Sequence, residues 1–415
     1  MATATASIAS HGVQPDIAYA PNLETYQART KRRLATESIN KSLPAGFPAK
    51  LASDLVWEGQ ELKNSYPWVY ELNQAQVQEI ENALQHFKSL QKPLGYIAQT
   101  TFPLPTLHPT LRNLSKELHF GYGFFVLRGL PVDKFTREEN IAIYAGVSSH
   151  IAPRRGRQDN SFDGNPADVV LAHIKDLSNT ADKDKIGAPA YTTDKQVFHT
   201  DVGDVVSLFA LDTAAQGGQS KLASSWRVYN ELTATRPDLI RTLAEDWPFD
   251  EYLPRFDGHY TLRPLLFHQP PSANAPERTI IQYARRYFTG FHALPRSLDI
   301  PPITEAQAEA LDAVHFLAER FAISLDFRKG DVQYINNLSI FHARDAFVDT
   351  PEQQRHLVRL WLRDPEFAWE TPNQLQSRWN DLYDGVTAAT EVFPLEPRIR
   401  SVSKGKKIED KASSK

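Results

Sequence analysis

Cysteine is absent from this 415-residue chain. That gap excludes a disulfide framework, a zinc ribbon, an iron–sulfur cluster and a thiol nucleophile together. Any bound metal must then be held by histidine and carboxylate. An excess of one charge is also lacking. Lys and Arg number 46 against 50 Asp and Glu, a formal net charge of −4, so no global basic field points to nucleic acid. No run of 18 apolar residues exists, so nothing reads as spanning a membrane. The N-terminal stretch MATATASIASHGVQPDIAYAP lacks a basic start followed by an apolar run, the mark of a secretory signal. The final Ser-Ser-Lys is not a peroxisomal address. The expected location is the cytoplasm, and a homo-oligomer stays open.

What is present suits a globular chain. Hydrophobic residues make up 41% and charged residues 23%, enough apolar material at this length for a sizeable core. Residues 1–50 are rich in Ala, Ser, Thr and Pro and read as a flexible N-terminal arm. Residues 51–400 read as one domain. Residues 401–415 hold five lysines and little to bury, and read as a disordered basic tail.

Helical spacing of apolar residues predicts a helix over Asn73–Leu90, with Val77, Ile80, Leu84 and Phe87 on one face. A short helix is expected at Leu111–Leu118, a strand in Gly121–Leu130 and a helix over Arg137–Ile151. From Asp168 the texture changes to short β-rich runs: VVLAHI, VVSLFAL, TLRPLLF, TIIQYARRYF, DVQYINN and RHLVRLWLR. Helical segments at Ser225–Leu243 and Thr304–Ala322 interrupt them. The predicted class is α+β, with a double-sheet β core and helical insertions instead of alternating βαβ units. The stretch 130–198, rich in Gly, Asp and Asn, reads as a lid-like insertion or a plain surface loop.

Phe198-His199-Thr200-Asp201 precedes the apolar run VVSLFAL. In extended chain, residues i and i+2 share a face, so His199 and Asp201 project together. One imidazole nitrogen and one carboxylate oxygen are two adjacent ligands for a divalent metal. A third completes a facial triad and leaves positions open for cosubstrate and O2. A His-x-Asp pair alone carries little weight, because it recurs by chance. His342, after the strand-like DVQYINN, can return to the same sheet mouth as the third ligand. In RHLVRLWLR one strand face carries Arg355, Leu357, Arg359, Trp361 and Arg363. If that face turns inward, its arginines need an anion, because an unpaired buried charge is costly and a guanidinium suits a carboxylate. Gly217-Gly218-Gln219-Ser220 reads as a turn that presents a hydroxyl.

Together, His199-Thr200-Asp201, Gly217-Gly218-Gln219-Ser220, His342 and the Arg355–Arg359 pair resemble, in order and spacing, the taurine/2,4-dichlorophenoxyacetate dioxygenase family (TauD/TfdA). The resemblance covers roughly Gly121 to Asp364. It implies a double-stranded β-helix (jelly-roll) core. It implies iron(II) on His199, Asp201 and His342, with 2-oxoglutarate as cosubstrate and O2 as oxidant. Arg355 matches the arginine that pairs with the distal carboxylate of 2-oxoglutarate, and Ser220 falls where the family commonly has Thr on that carboxylate. Arg359 matches a position that reaches the substrate's anionic group in some members and supports the cosubstrate in others. The implied reaction oxidises a C–H bond and releases succinate and CO2. Phe198, Phe341 and Tyr283 are expected pocket walls, with the basic and aromatic segments Tyr283–Phe288 and Arg263–Phe267 nearby. The expected substrate is a small anion: an amino acid, sulfonate or carboxylate. A larger specialised-metabolite intermediate stays open, because the length and Ala/Ser/Thr-rich arm resemble fungal members. So does a non-oxidative metal-dependent hydrolase or isomerase.

Overall fold

The computed structural model describes residues 13–250, 252, 260–273 and 275–405. Eleven strands and eight helices position the site. The strands are β1 (Val69–Glu71), β2 (Phe124–Arg128), β3 (Arg154–Arg155), β4 (Leu171–Lys175), β5 (Gln196–His199), β6 (Val205–Asp212), β7 (Ser220–Ser224), β8 (Ile323–Leu325), β9 (Val332–Asn336), β10 (Ile340–Arg344) and β11 (His356–Arg363). The helices are α1 (Leu23–Thr36), α2 (Gln74–Ser89), α3 (His108–Phe120), α4 (Arg137–Ser149), α5 (Ser225–Thr235), α6 (Pro237–Ala244), α7 (Glu305–Phe321) and α8 (Asn373–Tyr383).

Two sheets carry the core. The larger has the order β1-β2-β9-β6-β11-β3, and β4 also pairs along β11. The smaller has the order β8-β7-β10-β5, every pair antiparallel. Side chains alternate across the larger sheet with the period of two that extended chain imposes. Phe124, Val126, Val206, Ile335 and Trp361 pack in one cluster with Leu222, Ala223, Phe341 and Ala343 of the smaller sheet. Their neighbours Phe125, Val205, Phe209, Tyr334, Val358 and Leu360 pack on the other face, under α2, α3 and α4. The strands of this sheet are therefore apolar on both faces, which is why they read as runs and not as alternating patterns.

Sequence spacing located most helices, and the departures have local causes. The segment expected as one helix from Ser225 to Leu243 is two, because Pro237 cannot continue a helix and starts α6 at its first turn. The helix expected at Leu111–Leu118 is longer, His108–Phe120, again with proline in its first turn. TLRPLLF and TIIQYARRYF are not single strands. Pro264 separates the strands Thr261–Arg263 and Leu266–Gln269, and Arg286–Thr289 is a helical turn.

Two larger expectations need correction. The arm expected to be flexible contains α1, anchored by buried arginines. Arg29 meets Asp312 of α7 at 2.7 Å and Glu305 at 3.0 Å, and Arg33 pairs with Glu309. Polar composition hid an element held by ion pairs instead of apolar burial. The stretch 130–198, expected as a lid-like insertion or a plain surface loop, is in large part built into the core. Residues 140–149 of α4 are all buried, and β4 runs beside β11 in the larger sheet. It borders the mouth described below through Ala188–Ala190, Gln196 and Val197. Residues 1–12 of the arm and 406–415 of the tail lie outside the described residues. Among the described residues, no helix is long and apolar enough to cross a membrane.

Candidate metal centre

His199 ends β5 and His342 lies in β10, and the antiparallel register places them directly opposite each other. Their ring centroids are 4.0 Å apart. Asp201 follows β5 by two residues. Asn337 holds that turn: its side-chain oxygen accepts from the Asp201 backbone N–H at 2.8 Å, while its amide donates to the carbonyls of Asp201 (2.9 Å) and Gly203 (2.7 Å). Gly203 has φ +96°, and a Cβ there would come within 2.8 Å of the Tyr383 hydroxyl. One nitrogen from each histidine and one Asp201 oxygen all lie within 4.8 Å of one another.

The polar contacts orient this triad. Val197 O lies 2.9 Å from His199 Nδ1, so Nδ1 carries the proton and Nε2 keeps its lone pair. Asp201 Oδ2 accepts from Arg359 Nη1 at 2.8 Å and from the Trp361 indole at 3.0 Å. That leaves Oδ1, 3.8 Å from His199 Nε2, as the free oxygen of the carboxylate. Burial opposes the ionisation of Asp201, yet Arg359, the two imidazoles and the Trp361 N–H hold it well below the usual carboxylate range. Burial lowers both histidines, and His342 is pushed down further by His199. Two neutral imidazoles and one carboxylate are the donor set that a borderline divalent ion such as iron(II) takes. The residues fit the metal.

A cavity opens from His199 and His342 toward Ser220, Arg344 and Arg355. Arg355 directly precedes β11, with its backbone N–H bonded to Asp349 at 2.9 Å. Its guanidinium is buried, lies 5.5 Å from the Phe347 ring, and leaves Nη1 without a partner. Burial, then the nearby Arg344, pushes its pKa down to about 9. A buried guanidinium without a carboxylate is unstable on its own, and a carboxylate ligand would complete it. Ser220 opens β7 and donates to Gln333 Oε1 at 2.8 Å. The preceding Gly217 and Gly218 have φ of +75° and +70°, and a Cβ on Gly218 would press on Arg355 Cδ at 3.2 Å. The glycine pair is thus both a turn and a floor beneath Arg355. These residues fit the cosubstrate.

The family described as taurine catabolism dioxygenase TauD, TfdA matches residues 86–361. The chain belongs to the TauD/TfdA family. It is a non-haem iron(II) dioxygenase that uses 2-oxoglutarate and O2. The taurine hydroxylase-like protein SAT17 of Stachybotrys chartarum is 37% identical over 352 residues, 83% of this chain and 88% of that protein. Two solved structures share the fold. One is the non-heme iron oxygenase OrfP in complex with Fe and alpha-ketoglutaric acid (TM-score 0.53, 16% identity, 79% of this chain and 99% of that one). The other is an asparagine oxygenase in complex with Fe(II), hydroxyasparagine and succinate (TM-score 0.52, 16% identity, 71% and 93%).

The TauD/TfdA chain places its remaining expected residues unevenly. Arg359 faces the mouth beside Asp201. Phe198, Phe341 and Tyr283 do not wall it. Phe198 and Phe341 are strand neighbours of ligands, so alternation turns them to the opposite face, where both join the core. Tyr283 meets Phe341 edge-on at 5.5 Å and serves the site through its backbone carbonyl, which accepts from Thr200 N at 2.8 Å. Arg285, from the basic segment, is spent on Asp312 at 2.8 Å. Asn337, Gln158, Tyr19 and Arg400 were not singled out by sequence reasoning, although the first is one of an Asn-Asn pair just before the second histidine motif. Gln158 accepts from Arg359 Nε at 2.9 Å, and Tyr19 and Arg400 line the mouth.

Proposed function

We propose that this dioxygenase has a jelly-roll core and oxidises a C–H bond of a small anionic substrate, an amino acid, sulfonate or carboxylate, held at Arg359. One observation carries the substrate reading. Arg359 gives Nη1 to Asp201 while its Nη2 is buried and without a partner, at the edge of the mouth. An anionic group on the substrate would satisfy that donor and set its C–H bond beside the metal ligands.

In this reading His199, Asp201 and His342 hold the iron, and Arg355 with Ser220 binds the far carboxylate of 2-oxoglutarate. When bound, iron and 2-oxoglutarate supply the oxidising power from O2, releasing succinate and CO2. The protein's own part is positional. Val197 fixes the His199 tautomer. Arg359 and Trp361 fix the Asp201 carboxylate. The buried walls exclude water from the ligand atoms. The amino-acid complexes of OrfP and the asparagine oxygenase support an amino acid as the first class to try.

Anaerobic iron(II) plus 2-oxoglutarate should give a weak visible charge-transfer band, followed in air by succinate release stimulated by one class in a screen of amino acids, sulfonates and aryl acids. A band with stimulation only by large neutral compounds would remove the anionic-substrate reading. No band and no succinate would remove the assignment of the site.

A further inference from the structure

Beyond β11 the chain returns to the mouth. Residues 396–405 lie outside the matched residues 86–361, yet they cross the edge of the metal site. Ser401 N–H donates to Asp159 Oδ2 at 2.7 Å and its hydroxyl donates to Asp159 Oδ1. Ser403 O accepts from Gly187 N at 2.9 Å, and Gly405 N donates to Lys185 O at 2.8 Å. This strap is therefore tied down beside Arg400 and again beyond it.

Arg400 points into the mouth that Asp201, Arg359 and Trp361 also line. Its Nε lies 3.3 Å from the Tyr191 hydroxyl and its Nη1 lies 3.4 Å from Gln158 O, long contacts for a guanidinium. No carboxylate of the described residues lies within 4.0 Å of it, and both oxygens of Asp159 are occupied by Ser401. Arg359 shares its surroundings. Gln158 accepts from Arg359 through its side chain and from Arg400 through its backbone. The Trp361 ring lies 4.7 Å from the Arg359 guanidinium and 5.3 Å from that of Arg400. Two guanidiniums thus flank one indole, with Asp201 as the carboxylate bonded to Arg359 and none bonded to Arg400. Like charges held this close are costly unless an anion joins them. Burial and then Arg400 push Arg359 down against the opposing pull of Asp201, whereas Tyr191 and Asp201 hold Arg400 up against its own burial.

We propose that Arg400 is a specificity-determining residue that, together with Arg359, clamps one oxyanion group of the substrate. This rests on the anionic-substrate reading above and deepens it. A single arginine offers one fork of donors; two converging forks select a carboxylate, sulfonate or phosphonate group over a neutral polar one. The strap places part of the substrate choice in a segment outside the matched domain.

The probe is inorganic sulfate, titrated under nitrogen into full-length enzyme loaded with iron(II) and saturating 2-oxoglutarate, at ionic strength fixed with chloride. The readouts are the charge-transfer band and calorimetry. Sulfate should bind the wild-type enzyme by about 50 mM, and Arg400→Gln should weaken it about tenfold or more, with Arg400→Lys between them. Formation of the band in each variant shows that its site is intact. Arg398→Gln, on the same strap but paired with Asp163 at 3.1 Å, should bind sulfate as the wild type does. Equal sulfate affinity in Arg400→Gln and wild type, or an equal loss in Arg398→Gln, overturns the clamp. So does a wild-type enzyme that forms the band and ignores sulfate; in that case the dioxygenase reading stands. Absence of the band in the wild type overturns both.

Discussion

At the residue scale, the decisive economy is the division of Asp201. One oxygen is occupied by Arg359 and Trp361, and the other is left for metal. Asp201→Ala and His199→Ala should both abolish iron binding, measured by metal content after anaerobic loading. Their stabilities should differ. Asp201→Ala strands a buried guanidinium and should cost about 3–5 kcal/mol, whereas His199→Ala leaves the Arg359–Asp201 pair intact and should cost less. Equal losses in denaturant unfolding would mean that Arg359 finds another partner. Arg355 presents the opposite balance. Its buried charge lacks a protein carboxylate, so it should lower the stability of the ligand-free protein while serving 2-oxoglutarate. Arg355→Met should raise the unfolding free energy of the ligand-free enzyme by about 1 kcal/mol. The same change should weaken 2-oxoglutarate by about 2–5 kcal/mol, read as the apparent KM in succinate release. If the substrate's KM moves and that of 2-oxoglutarate does not, the roles of Arg355 and Arg359 must be exchanged.

At the scale of elements, β4 and β11 are joined by a histidine pair as well as by their ladder. His173 Nε2 lies 2.8 Å from Pro394 O, so it carries the proton and donates. His173 Nδ1 must then accept, and the His356 Nε2–H 2.7 Å away donates to it. This chain of bonds needs a neutral His173, whose Nδ1 must keep its lone pair to accept. Burial, then neighbouring His173, pushes His356 down to about 3. In the unfolded chain it titrates near 6.5. The folded state therefore binds fewer protons between these values. Its contribution to stability is complete above about pH 6.5 and is lost as pH falls toward 3, at up to about 1.4 kcal/mol per pH unit. His356→Gln keeps a donor for His173 and removes the titration. Its unfolding free energy should fall less steeply than that of the wild type between about pH 6.5 and 4.5. Identical slopes would place the acid sensitivity elsewhere. The docking of α1 follows a different rule. Asp312 serves Arg29 of α1 at 2.7 Å and Arg285 at 2.8 Å. Arg29→Met, which leaves Asp312 its second partner, should cost about 2 kcal/mol, and Asp312→Asn, which leaves Arg285 without a carboxylate and Arg29 with Glu305 alone, about 4 kcal/mol. An Asp312→Asn protein as stable as Arg29→Met would show the pairs to be superficial.

At the scale of the whole molecule, legibility follows how local the cause is. The triad was readable because His199 and Asp201 sit two apart and His342 follows a strand run. The inward face of β11 was readable because alternation places Arg359 and Trp361 together, with Arg355 just before the strand on the same side. The aromatic walls were misread because Phe198 and Phe341 adjoin ligands in sequence, and adjacency in a strand means opposite faces. Asn337, Gln158 and Arg400 act through contacts between segments far apart in the chain, and no spacing rule announces those. The same distinction bears on dynamics. The two sheets bury a continuous core on both faces of β6, β9 and β11, while residues 13–20 and 396–405 add little buried apolar surface beyond Ile17 and Ile399 and are tied by polar contacts such as Gln14 to Ile303 N (3.1 Å) and Gly405 N to Lys185 O (2.8 Å). Segments held by few contacts open at lower free energy than core strands. Hydrogen exchange should therefore be faster at Ser401, Ser403 and Gly405 than in β6 and β11. Loading with iron(II), 2-oxoglutarate and sulfate should slow it at the strap, because an anion shared by Arg400 and Arg359 ties that segment to the core. Strap amides as protected as those of β11 before loading would mean that the mouth is a rigid part of the core, closed by packing and not by ligand.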